Sequence, residues 1–434
     1  MLPDELAAAP TLSPLPSGRF TMLRGLGWAT LDQAISSCTN FAITVLAARQ
    51  LSRRDFGAFG LAFLLSVIVM GVVRGAVTEP LLSRPELGAG TRRQATFEAV
   101  AAAALGLGLL AAAGIVVPAA LVGGTTGRTL VALAVVLPGL CLQDAWRYCF
   151  ISQGRAIAAV LNDAAWLLLQ SGVVLALAVT RGLSTAGIVL AWGGAGVGAG
   201  VLGAAQAGVL PRARAGLAWL SAQRSLGARY CLEFLTASAA TQFALLGLGA
   251  ISGLAALGAV RGAQAFFGPL VVLFNGIFLA LVPLASALRS APSRLRRLMT
   301  LVSAAVSACA LAWMLVGINL PDRLGRQLFG DTWSSAHAIL FPTGLALLAG
   351  GIVAGPIAGL RSLAAARASL RARLLTAPIL VVAPVVGGVI ADSKGFSYGV
   401  ASATFAGALV YWWQFVRASG PPLPVPDLET VPAR

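Results

Sequence analysis

Seven polar side chains stand inside long apolar runs of this 434-residue chain and are the candidates for chemistry: Arg74, Arg261, Asp32, Asn40, Glu233, Asp163 and Gln264. A charge placed at the centre of hydrocarbon costs about 2.5–3.5 kcal/mol on insertion scales, so it faces a cavity or a partner. A guanidinium there can hold an anion, because it stays charged and matches phosphate in geometry. A carboxylate there can hold a proton or a cation. Asp32, Ser36 and Asn40 recur at i, i+4 and i+8, which puts them on one helical face. That face suits a water-filled cavity. Asp144 and Arg147 are three residues apart and are expected to form a structural ion pair. Arg74 and Arg261 have no acid at i±3 or i±4. Each is expected either to meet Asp32 or Glu233 on a neighbouring helix or to hold an anionic ligand.

The chain has no HExxH or Walker A pattern, and no catalytic or metal-ligating set is expected. Gly198–Gly203 fits GxGxxG, but no strand precedes it, so close helix packing through Gly194 and Gly198 is the expected role. Five cysteines (Cys38, Cys141, Cys149, Cys231, Cys309) fall in apolar segments without a CxxC pair and are expected to be free, buried thiols. His337 is the only histidine and is expected at a membrane interface, as are Tyr411, Trp412 and Trp413.

The elements that must position these residues are membrane helices. The chain is 58% hydrophobic and 11% charged. Roughly a dozen apolar stretches of about 20 residues each suffice to cross a bilayer. The expected fold is an all-α polytopic membrane protein with about twelve helices in two pseudo-symmetric six-helix lobes around a central cavity. Residues 1–24 are expected to be a cytoplasmic tail, 25–210 the first lobe with helices 1–6, 211–229 a basic cytoplasmic linker, 230–417 the second lobe with helices 7–12, and 418–434 a Pro-rich tail. The first 20 residues lack the basic start and apolar core of a secretory signal. With the N-terminus inside, 20 of the 31 Lys and Arg residues fall on the inner side and 8 on the outer side. The excess argues for both termini in the cytoplasm and a multi-pass protein of the cytoplasmic membrane. The +16 charge is spread over membrane edges rather than gathered in a basic domain, so nucleic acid is not an expected partner.

A shift of 201 residues lays the first span on the seventh. Asp32 then meets Glu233, Ser37 meets Ser238 and Asn40 meets Thr241; Gly57-Ala58 meets Gly258-Ala259, and Ala62 meets Ala263. Repeats that start on the same side are parallel, and transporters place the substrate between such halves.

Three stretches carry a resemblance. Phe41 to Phe63 (FAITVLAARQLSRRDFGAFGLAF) resembles the end of the first helix, the loop and the start of the second in polysaccharide flippases of the multidrug/oligosaccharidyl-lipid/polysaccharide exporter superfamily. Pro138 to Arg147 with Asn162 to Trp166, and Leu257 to Pro269 with Val282-Pro283, are similar to the same group. The resemblance covers about two-thirds of the chain and leaves the last four spans unmatched. It implies a transporter, not an enzyme, that flips an isoprenoid-diphosphate-linked oligosaccharide by alternating access. The implied partners are that lipid-linked glycan, membrane lipids and other polysaccharide-assembly proteins. No cofactor is implied; a proton or sodium ion is the candidate for coupling.

Two other functions compete. A cation-coupled multidrug exporter of the same superfamily would use Asp32, Asp163 and Glu233. Cavity sign separates it from the flippase, and within the spans Asp32, Asp144, Asp163 and Glu233 outnumber Arg74, Arg147 and Arg261. A membrane-embedded polysaccharide polymerase or ligase would need a large outer loop, and the longest one expected here, about 319–333, has four charged groups.

Overall fold

The computed structural model describes residues 40–84, 90–180, 184–237, 239–286, 291–363 and 365–420, with 37, 87, 288 and 289 as single residues. Among the described residues no strand occurs. The tails, Asp32, Gln33, Ser36, Cys38 and Ser238 lie outside the described residues.

The first lobe runs from α1 (40–50) through α2 (Arg53–Val73), α3 (Arg93–Val122), α4 (Gly124–Ser152), α5 (Ala156–Thr180) and α6 (Thr185–Ala207). α2 continues as a π-helical turn, Arg74–Thr78, and a last α turn, Glu79–Ser83. A ten-residue helix, α7 (Ala213–Ala222), links to the second lobe. That lobe holds α8 (Arg224–Ala237), α9 (Ala239–Ile251), α10 (Gly253–Ser286), α11 (Pro292–Ile318), the short α12 (Asp322–Phe329) and α13 (Thr332–His337), α14 (Leu340–Ser362) and α15 (Ala366–Ala418). α8 and α9 lie at 56° to each other, and α15 is two helices joined at Ala391–Asp392. Nine described helices are long and apolar enough to cross a membrane, or ten with the bent pair. With the two legs of α15 and the helix at 40–50, the all-α architecture of about twelve helices is met.

Local sequence explains where helices start and stop. Ser52 caps α2 by accepting from the Asp55 N–H, and Ser184 caps α6 by accepting from Gly187. α3 gives way to α4 at Gly123, whose φ of 60° an L side chain rarely adopts. Successive helices alternate direction, so the loops divide into two sets. One end of the bundle carries Arg53, α12 and α13; the other carries Arg212 and α7.

α4 is the core of the first lobe and is buried along most of its length, from Thr129 to Phe150. α6 reaches it through Gly193, Gly196, Gly200 and Gly203, which sit against Val136, Leu140, the Gly139 carbonyl and Trp146. This corrects the expectation for Gly194 and Gly198. A Cβ at Gly194 would meet nothing within 4 Å, and one at Gly198 only Leu169. The 3-4-3 spacing of the four packed glycines follows one helical face; Gly194 turns away from it.

α2 is the seam between lobes. It packs along α10 at its Arg53 end and against α8 at its π turn. The matched glycines Gly57 and Gly258 meet there: a Cβ on Gly57 would stand 1.8 Å from the Leu254 carbonyl oxygen, and one on Gly258 2.6 Å from the Arg53 carbonyl oxygen. Gly57→Ala is therefore expected to push the lobes apart and cost about 2 kcal/mol, within the usual range for overpacking. Gly194→Ala is the control and should cost nothing. Thermal melting of the two detergent-solubilised variants checks this; equal midpoints would overturn the seam assignment.

Cys141 and Cys149 are buried free thiols, as expected. Cys309 is free but exposed on α11, which corrects the expectation of burial there. His337 closes α13 with its ring 5.0 Å from that of Trp333. Of the three aromatic residues expected at an interface, Trp413 is half exposed beneath the Arg417 guanidinium, Tyr411 is buried, and Trp412 donates inward to the Ile352 carbonyl.

Candidate functional site: a cavity between the lobes

A cavity of about 870 Å³ lies between α1 and α2 of the first lobe and α10, α14 and α15 of the second. Its walls are mainly apolar and aromatic, with Phe41, Phe56, Phe59, Phe63 and Phe267 among them. Its polar groups are Ser37, Asn40, Thr44, Arg261, Gln264, Thr343 and Thr404. Arg261 is the one charge among the described lining residues.

Arg261 is held from both lobes. Its guanidinium carbon stands 5.2 Å from the centroid of the Phe63 ring on α2. Its Nη1 donates to Gln264 Oε1 at 3.3 Å, one turn along α10. Its stem crosses Gly60, where a Cβ would come within 3.0 Å of Arg261 Cγ. No carboxylate lies in an ion pair with Arg261 among the described residues. Nη2 is buried and has no hydrogen-bond partner, and neither has the buried Thr343 hydroxyl across the cavity. Each such orphan costs about 1–3 kcal/mol, more when charged, until an acceptor arrives. The arrangement can receive an anionic oxygen at Arg261 and a second oxygen at Thr343.

An aromatic ladder runs behind Phe63 into the first lobe. Its ring is 5.5 Å from that of Trp192, which is 6.1 Å from that of Trp166. One turn away on α5 a buried polar network begins. Gln143 donates to Asp163 Oδ1 at 2.8 Å and to Asn162 Oδ1 at 3.2 Å; Asn162 donates to the Ala199 carbonyl and to Gln206. Arg147 Nε stands 3.7 Å from Asp163 Oδ2.

The expected site set is therefore divided. Arg261, Asn40 and Gln264 line one cavity. Asp32 lies outside the described residues. Asp163 does not line the cavity; it is buried among α4, α5 and α6. Glu233 lies on α8 toward the Arg212 end, largely exposed, and pairs with Arg373 at 3.2 Å. Arg74 stands at the first residue of the π turn and gives both its Nε and its Nη2 to Asp144 at 2.7 Å. This corrects the expected Asp144–Arg147 pair: Asp144 takes Arg74 across two helices, and Arg147 turns to Asp163. For Arg74 it also replaces both expectations, an anionic ligand and a pairing with Asp32 or Glu233, because the guanidinium is already matched by the Asp144 carboxylate. Phe63, Gly60 and Thr343 were missed. The signal available was Phe56, Phe59 and Phe63 at helical spacing around Gly60, in the segment that matches Gly258–Gln264 under the repeat.

No family model and no curated protein sequence matches the chain. Solved structures do match. An inward-facing multidrug resistance MATE family transporter of the MOP superfamily aligns over 88% of this chain and 94% of its own, at TM-score 0.67 and 15% identity. Lipid II flippase MurJ in an inward closed conformation aligns over 89% of both chains, at TM-score 0.66 and 11% identity. An outward-facing MATE transporter aligns at TM-score 0.58 and 16% identity, over 92% of this chain and 95% of its own. The chain has the fold of these transporters. The likeness reaches the architecture and does not select the polysaccharide branch within it.

Proposed function

We propose that the chain is a membrane transporter that flips a lipid-linked oligosaccharide across the cytoplasmic membrane by alternating access, with its diphosphate held at Arg261. The observation that carries this is the cavity: its one described charge is a cation with an unpartnered N–H, faced by an unpartnered hydroxyl. A diphosphate supplies the missing acceptors. The aromatic walls suit sugar rings, and the lipid tail stays in the bilayer. MurJ, with the same fold, is by its name a flippase of a lipid-linked substrate. The Arg212 end is the cytoplasmic one in this reading, supported by the excess of basic residues there. Other polysaccharide-assembly proteins would be its partners.

A deletion strain tests the proposal. It is expected to accumulate lipid-linked oligosaccharide on the inner leaflet and to lose a surface glycan. Normal surface glycan in a strain with no second flippase would end it. A cation-coupled drug exporter is the second reading, favoured by the buried Asp163 network and by the MATE likeness. A proton or sodium ion would then act at the first lobe rather than at Arg261.

A further inference from the structure

A second, smaller cleft of about 470 Å³ opens at the Arg53 end. Both lobes build it. α2 contributes Arg53 and Arg54; the α12–α13 segment contributes Arg326, Asp331 and Ser334. We propose that this cleft is a second anion site, separate from the central cavity, which takes a multivalent phosphate-type oxyanion and bridges the two lobes while this end is shut.

Charge is the first argument. Three guanidinium groups face one carboxylate, so two positive charges are left over. Arg53 does not relieve this: its Nε donates to the Asp331 carbonyl at 3.2 Å and its Nη2 to the Ser334 hydroxyl, both neutral acceptors. Among the described residues Arg54 and Arg326 form no ion pair. A phosphate dianion balances two charges, and its oxygens fit guanidinium forks in pairs. A monovalent anion at an exposed arginine is worth little, because water and salt screen it. Three arginines lining one cleft can share a multivalent ion and are not so limited.

The second argument is that the cleft depends on closure. The α12–α13 turn is seated on the first lobe at three points. Arg53 is one. Thr332 donates to the Ala48 carbonyl at 3.1 Å. Gly330, at φ +55°, lies so close to Arg49 that a Cβ would stand 2.6 Å from its carbonyl oxygen. Separating the lobes here carries Arg326 away from Arg54 and divides the site. An anion that binds only the shut form stabilises it, and by linkage the shut form binds the anion more tightly.

The test uses the full chain in detergent, with thermal melting read against inorganic pyrophosphate and phosphate at an ionic strength held constant with chloride. Pyrophosphate is expected to raise the midpoint with a half-saturating concentration below about 1 mM, equivalent to roughly −4 kcal/mol or better. Because Arg261 is itself proposed to hold a diphosphate, the response is also read in Arg261→Gln, which is expected to keep a saturable shift, so failure at this site and failure of the proposed transport site read out separately. In that background Arg54→Gln and Arg326→Gln are each expected to raise the half-saturating concentration about tenfold, and together to abolish the response. A short-chain prenyl diphosphate in the same micelles tells the sources apart. Tenfold tighter binding than pyrophosphate supports the site as a lipid headgroup stop; equal binding supports it as a free-anion site. No shift with either probe, a shift lost in Arg261→Gln, or a shift that survives Arg54→Gln and Arg326→Gln together in the Arg261→Gln background overturns the proposal.

Discussion

Arg261→Gln is expected to abolish transport while leaving the protein at least as stable as the parent. The sign of the stability term is the informative part. Arg261 carries a charge into the bundle with no carboxylate beside it among the described residues, and its Nη2 has no acceptor. Glutamine removes the charge and most of the desolvation cost, and keeps a donor near Gln264. A charge-assisted hydrogen bond contributes about 1.5–3 kcal/mol, so losing it should weaken binding of a diphosphate by about 10–100-fold. Arg261→Lys keeps the charge but loses the fork and much of the stacking on Phe63, and should recover only part of the transport. Phe63→Leu removes a cation–π contact worth about 1 kcal/mol and should cost about fivefold. Surface-glycan assays give the transport readout and thermal melting the stability readout. An Arg261→Gln protein that melts several degrees lower, or that still transports, would remove Arg261 from the binding role.

How much of this could be read from residues alone follows a physical division. Hydrophobic length is a one-dimensional property, and it set the helices and their number. The direction of alternate helices followed, because each span reverses the chain. The match of Gly57 with Gly258 marked a contact, because the two glycines face each other across the seam. Side-chain partners were less legible. Asp144 and Arg147 are near in sequence, and on an isolated helix they would meet. In the bundle Asp144 is buried at the α2–α4 contact, and Arg74 reaches it with two parallel hydrogen bonds. A short sequence spacing shows who can meet, not who competes. The same holds for Gly194, which fits a small-xxx-small pattern yet faces open space. Which face of α6 packs depends on where α4 lies, and no local pattern contains that. Arg261 and Gln264 were singled out because both are polar on one helix three residues apart. Phe63 was not, because an aromatic residue in a membrane helix looks like any other wall residue until a cation is placed over it.

Arg74→Gln should do the opposite of Arg261→Gln. The Asp144 side chain is 5% exposed, and both of its oxygens accept from Arg74 at 2.7 Å. The guanidinium also lies over the Tyr148 ring, 5.6 Å from its centroid. Removing the arginine strands a buried carboxylate beside an aromatic ring. Breaking a buried pair from one side costs about 3–5 kcal/mol. The lower figure, about 3 kcal/mol, fits here because the Arg74 side chain is itself 36% exposed and water can reach the gap. The site is sensitive for a second reason. Arg74 opens the π turn, the part of α2 that packs against α8 of the other lobe: a Cβ at Gly75 would stand 2.8 Å from the Cys231 nitrogen. Losing the pair should therefore loosen the seam as well as the first lobe. Asp144→Asn added to Arg74→Gln removes the stranded charge and leaves two neutral amides that can still hydrogen-bond. The double variant is expected to regain most of the lost stability and expression, with a coupling energy of about 2 kcal/mol in a double-mutant cycle. A single variant that melts like the parent would show that Asp144 is satisfied without Arg74. A double variant no better than the single would show that the arginine acts through packing on Tyr148 rather than through its charge.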